Sequence, residues 1–172
     1  SWRNAQVLER QLIHRLALAE HCTYSELINA LPKRLTELPE FEESLHRVAN
    51  FVAPTGMAQG RYVLRKEAWS RFDVFFPLYS SQDVHRAQER AARFLPSDAP
   101  LPTPPPPCAA FERLPHALSC ASVHGILYAV FYAAVRRGER GSERLLCVAL
   151  RLLQLALAAP PGASASAASS AA

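Results

Sequence analysis

Seven of the chain's 14 prolines crowd into residues 96–107, "PSDAPLPTPPPP". Proline fixes φ, lacks an amide hydrogen and clashes with the turn before it, so this stretch suits neither a helix interior nor a central strand. It is read as an extended, stiff strut. The 172 residues are therefore expected to divide around it.

Ahead of the strut the apolar residues recur every three to four positions. Residues 5–19, "AQVLERQLIHRLALA", set Val7, Leu8, Leu12, Ile13, Leu16 and Ala17 toward one face, which marks an amphipathic helix. In "HCTYSELINALPKRL" Thr23 and Glu26 have the spacing of a capping box, opening a helix over Tyr24 to Leu31 that Pro32 stops. A third helix is predicted over "PEFEESLHRVANFV", with Pro39 in its first turn and Phe41, Leu45, Val48, Ala49 and Val52 buried. In "APTGMAQGRYVLR", Gly56 and Gly60 offer the positive φ of a hairpin turn, and "RYVLR" alternates like a half-buried strand.

Three helices followed by a hairpin is the order of a winged helix. The aromatic residues Trp69, Phe72, Phe75, Phe76 and Tyr79 are expected to seal its small core. Ser81 is read as the cap of a charged, solvated helix reaching about Leu95. Beyond the strut two apolar helices are expected, from about Pro115 to Arg136 and from Ser142 to Ala159, joined by "RGERG". The fold class is thus mainly α with a small β-hairpin. The expected organisation is a winged-helix-like domain (5–80), a charged helix (81–95), the Pro-rich linker (96–107), a helical hairpin (108–159) and a disordered Ala/Ser tail (160–172).

Four chemical readings compete with a purely structural one. A winged helix invites DNA binding, and Arg61, Arg65 and Lys66 stand on the hairpin. The third helix, however, sets Glu37, Glu40, Glu42 and Glu43 against His46 and Arg47, the wrong sign for a phosphate polyanion, and a net charge of +4 is mild. A membrane span is conceivable over Ala117–Val135, which lacks Asp, Glu, Lys and Arg, but a helix packed on all sides gives the same pattern. His116, Cys120 and His124 would share one helical face, without the fourth ligand that zinc usually needs; Cys108 lies in the linker region. Cys22 adjoins His21, but sequence neighbours seldom face each other, and nothing identifies a group to orient the histidine. No phosphate-cradling glycine loop or Gly-x-Ser-x-Gly elbow occurs. Catalytic, cofactor-binding and metal-binding residues are accordingly assigned as none.

The scattered cysteines Cys22, Cys108, Cys120 and Cys147 suit reduced thiols inside a cell. The start at Ser1-Trp2-Arg3-Asn4, without Met or a signal-peptide pattern, and the low-complexity end lead us to expect a piece of a longer protein.

The stretches "HCTYSELINALP" and "FEESLHRVANFVAPTGMAQGRYVLRKEAWSRFDVFFPLYSSQDVHRAQERAARF" resemble the UBR family of E3 ubiquitin ligases, the N-recognins of the N-degron pathway. The likeness is to the plant-type member for basic amino-terminal residues in particular. It runs in order through Thr23-x-Ser25-Glu26-Leu27, Val48-Ala49, Gly60-x-Tyr62-x-Leu64 and Phe72-Asp73. It continues through the proline-rich joint into "HGILYAVFYAAV" and "LLCVALRLLQLALA", covering about residues 5–159. The longer proline run and the Ala/Ser tail depart from the family pattern. The resemblance implies a parent that carries ubiquitin from an E2 to N-degron substrates, acting through other parts of its chain. It implies zinc in a UBR box and a RING that lie outside this segment, and a cytoplasmic and nuclear location. This segment then serves as scaffold, with neither nucleic acid nor membrane as partner; a winged-helix nucleic-acid module is the alternative.

Overall fold

The computed structural model describes residues 2–54, 56, 59–96, 99–104, 109–111, 113–137 and 143–158. The expected tail at 160–172, the joint at 138–141, Cys108 and part of the proline run lie outside them. Two compact units are present, residues 1–103 and 104–172.

The first unit is built on α1 (Trp2–Ala17), whose Leu8, Leu12, Ile13, Leu16 and Ala17 are buried as their spacing requires. Val7, counted with that stripe, is half exposed: it lies at the stripe's margin. After β1 (Cys22–Thr23) comes α2 (Tyr24–Ala30), and the capping box is formed. Glu26 Oε2 accepts from the Thr23 N–H at 2.8 Å, and Thr23 Oγ1 accepts from the Glu26 N–H at 3.3 Å. These bonds to the ionised form hold the exposed Glu26 carboxyl below its ordinary pKa. Pro32 ends α2 and then opens one further turn, α3 (Lys33–Thr36), which the sequence did not announce.

The third predicted helix is shorter than its apolar period. α4 covers Phe41–Val48, with Pro39 before it rather than in its first turn. Ala49 turns extended (φ −128°, ψ 150°), and Ala49–Val52 form strand β2. Asn50, Phe51 and Val52 are weak helix formers that gain cross-strand partners on β3 (Arg61–Leu64): Asn50 faces Val63, Phe51 faces Tyr62 and Val52 faces Arg61. Val52 is exposed, not buried. The hairpin therefore straddles 53–60, and β1 joins the other side of β3, giving an antiparallel sheet of order β1-β3-β2. Gly56 takes φ +63° as the turn requires. Gly60 serves differently, since a Cβ there would sit 2.5 Å from Phe51 Cζ.

A 3₁₀ turn (Glu67–Arg71) leads into the aromatic stretch. Trp69, Phe72, Phe76 and Tyr79 are buried in one cluster with the stripes of α1, α2 and α4, while Phe75 is only half-buried. Helix α5 (Ser81–Ala91) is capped by Ser80, not Ser81, because Asp83 falls three residues after Ser80 and completes a second capping box. α5 ends at Ala91, four residues short of Leu95. Its Ala87 and Ala91 belong to the same core, so one face of this charged helix is buried.

In the second unit the single helix expected from Pro115 is broken. A 3₁₀ segment (Leu114–Ser119) ends at Cys120, which is extended (φ −83°, ψ 147°), and α6 follows over Ala121–Arg137. The break frees the Leu118 carbonyl, and the His124 ring donates to it from Nε2 at 2.9 Å. α7 (Glu143–Ala158) packs against α6 and the 3₁₀ segment. Among the described residues of this unit only Leu127 and Ala149 are buried. Tyr128 is 70% exposed, Val135 83% and Leu157 78%. The α6 side chains are thus not enclosed on all sides, as the charge-free run Ala117–Val135 had suggested. Among the described residues no single helix is long and apolar enough to cross a membrane; Ala109–Ser119 and Ala121–Arg136, bent by 54°, reach that length and composition only when taken together.

Candidate functional site

On the surface a winged helix would offer to DNA, Arg47, Arg61 and Arg65 engage protein groups, while Lys66 is exposed. In α4, Glu42 and Glu43 sit in the first turn, and the basic residues near its end have partners. Arg47 Nε lies 3.2 Å from Glu9 Oε1, and the His46 ring leans on Tyr62 with centroids 6.4 Å apart. On the hairpin, Arg61 Nη1 donates to His21 Nε2 at 2.8 Å and Arg65 Nε donates to the Ala49 carbonyl at 3.2 Å. Guanidinium groups spent on protein acceptors are poorly placed to neutralise phosphates.

The singled-out reactive groups are dispersed. Cys22 is buried, and burial pushes its thiol up, away from the nucleophilic thiolate; His21 faces Arg61. His116, Cys120 and His124 fall on the 3₁₀ segment, the break and α6 respectively, so they share no helical face. Among the described residues no three His, Cys, Asp or Glu side chains gather as metal ligands would.

What the first unit does concentrate is cross-bracing, and much of it converges on α1. The Glu9 carboxylate, buried on α1, is held by Arg47 of α4 and by Arg71 Nη1 at 2.7 Å, tying together three elements. His14, fully buried, is gripped at both ring nitrogens. Nδ1 lies 2.6 Å from the Arg10 carbonyl, and Nε2 accepts the Asp73 N–H at 3.0 Å. Its ring stacks on Phe76 at 4.1 Å, and Tyr79 donates its hydroxyl to the His14 carbonyl at 2.6 Å. Burial raises the Tyr79 phenol far above its usual range, which keeps that donor protonated. At the far end of α1, Arg90 Nη1 reaches the carbonyls of Leu16 (3.0 Å), Ala17 (2.9 Å) and Ala19, groups a helix end leaves unpaired. The same guanidinium lies 5.7 Å from the Trp69 ring centroid.

The aromatic group was legible before the structure, but His14, Glu9 and Arg90 were not. Each sits in a segment whose period announced a helix, and a polar residue beside an apolar stripe reads the same whether it is solvated or buried with partners.

Residues 7–99 match the family described as the winged-helix domain of UBR1-like E3 ubiquitin-protein ligases. Among curated relatives, the E3 ubiquitin-protein ligase PRT6 of Arabidopsis thaliana is 31% identical over 163 residues, covering 89% of this chain and 8% of its own. The mouse E3 ubiquitin-protein ligase UBR2 is 30% identical, with 87% and 9% covered. The human UBR3 is 27% identical, with 88% and 9% covered. The chain thus spans less than a tenth of the length of these relatives.

Proposed function

The chain belongs to the winged-helix domain family of UBR1-like E3 ubiquitin-protein ligases, and on that premise we propose that it is a spacer segment of such a ligase, its first unit braced internally. In this reading the parent recognises N-degrons and promotes ubiquitin transfer from an E2 to substrate proteins for degradation. The E2 and the substrate are engaged by other parts of the parent, where a UBR box and a RING would hold zinc, and its expected place is the cytoplasm, with the nucleus as a second site. The observation that carries the proposal is that similarity to ligases extends across 87–89% of the chain, into both units.

The physics supports such a role. Transfer from a charged E2 depends on bringing the thioester and a substrate lysine into reacting geometry, and holding two partners in place is worth orders of magnitude in rate. A spacer contributes by resisting deformation. The Glu9, His14 and Arg90 braces each join α1 to residues distant in sequence, which supplies that resistance. The exposed apolar faces of α6 and α7 suit packing against further chain of the parent, as solvated apolar surface on this scale usually marks a contact.

The decisive experiment replaces residues 5–159 within the full-length ligase by a Gly/Ser linker of equal residue number. Substrate ubiquitination is expected to fall at least tenfold while binding of E2 and of degron peptide, each measured separately, stays intact. Retention of the full rate overturns the spacer reading. Discharge of ubiquitin from a loaded E2 by the isolated chain overturns it too, as does tight duplex binding at physiological salt.

A further inference from the structure

His14 is held in a single tautomer by its neighbours. A carbonyl only accepts, so the 2.6 Å contact with the Arg10 oxygen requires the proton on Nδ1. A backbone amide only donates, so the 3.0 Å contact with the Asp73 N–H requires a bare lone pair on Nε2. The ring has thus used both nitrogens as a neutral group and has no position left for a second proton. The buried ring stacks on Phe76 at 4.1 Å and on Phe72 at 5.8 Å, which resists its turning over.

We infer that His14 is a proton-operated latch between α1 and residues 72–79, closed when neutral and opened by acidification. Protonating Nε2 sets one N–H against another. Either the Asp73 amide or the ring must then move, and Asp73 carries with it several further contacts. Its Oδ2 is 3.3 Å from Arg10 Nη2, and its Oδ1 accepts the Phe75 N–H at 2.9 Å. Opening the latch therefore loosens the Phe72–Tyr79 segment that closes the aromatic core.

The charges around the ring oppose one another. On α1, Arg10 disfavours a second cation; from the 72–79 segment, Asp73 favours it. Asp83 and Arg90 of α5, with Arg15 of α1, act on the Tyr79 phenol, which stays uncharged. Glu9 and Arg71 are engaged with each other. Burial outweighs the rest and holds the imidazole below its ordinary pKa of 6.5. The sign follows. Above pH 6.5 His14 is neutral folded or unfolded, and the latch contributes in full. Between 6.5 and the lower folded value only the unfolded chain takes up the proton, so stability falls with pH through that window.

Three measurements on the 172-residue chain test the latch. Long-range proton–nitrogen NMR of the imidazole at pH 7.5 is expected to show Nδ1 protonated and Nε2 bare; the opposite tautomer overturns the inference. Denaturant unfolding between pH 7.5 and 5.5, where ordinary carboxylates stay ionised, is expected to lose up to about tenfold in the folding equilibrium per pH unit below 6.5. His14→Gln keeps an acceptor that cannot titrate, so its profile is expected to be flatter by one proton; a slope equal to the wild type's overturns the inference. Where that variant does not fold, hydrogen exchange at the Asp73 amide decides. Its protection factor is expected to drop on acidification, and constant protection overturns the latch.

Discussion

Residues 2–91 and residues 109–158 both commit most of their length to helix, yet they treat their apolar side chains in opposite ways. In the first unit the stripes of α1, α2, α4 and α5 meet over the aromatic cluster, and the sheet closes one side. In the second, α6 and α7 are individually more apolar, but many of their large apolar side chains stay exposed. A core requires layers that cover one another's apolar faces as well as hydrophobic residues. The comparison separates a region that is stable by its own contacts from one whose apolar surface stays largely open.

Substitutions in the two units sharpen that contrast. Trp69→Ala removes the largest fully buried side chain of the first unit and should cost about 3–5 kcal/mol, read as a shift in the denaturant midpoint. An unchanged transition would break the claim that the aromatic cluster holds hairpin and helices together. Glu9→Gln leaves Arg47 and Arg71 without their shared carboxylate. Both arginines are about half exposed, so the loss is discounted to about 1–2 kcal/mol, and it should shrink in high salt. Thr23→Ala deletes the cap of α2 and should cost about 1 kcal/mol by the same measurement. Smallest of all, Tyr128→Ser and Val135→Ser in α6 should change stability by no more than about 0.5 kcal/mol, since both side chains already face solvent. A loss above about 2 kcal/mol from either would mean that the second unit covers this face by itself.

Legibility from sequence followed the same division. In the first unit the capping box at Thr23 and Glu26, the α1 stripe, the aromatic cluster and the order of α1, α2 and α4 before the hairpin were readable, because each is a local rule acting on neighbouring residues; the single turn α3 was not. Strand β2 was hidden because Phe41, Leu45, Val48, Ala49 and Val52 keep a helical period straight through it; only pairing with Arg61–Leu64 decides the matter, and that pairing is not local. β1 was invisible for a related reason, as its two residues are defined by a partner some forty positions away. The tautomer of His14 and the engagement of Arg90 depend on groups more than fifty residues distant. In the second unit the apolar composition was plain, but composition does not say whether a helix will find cover.

The reach of Arg90 has a consequence for how the chain is made. The carbonyls that it closes at the end of α1 lie 71 to 74 residues earlier. During vectorial synthesis α1 leaves the ribosome with its carboxyl end uncapped and its apolar stripe uncovered. The stripe is covered as α2, α4 and the aromatic segment emerge, but those carbonyls stay open until α5 arrives, so closing the end of α1 is among the last steps in assembling the first unit.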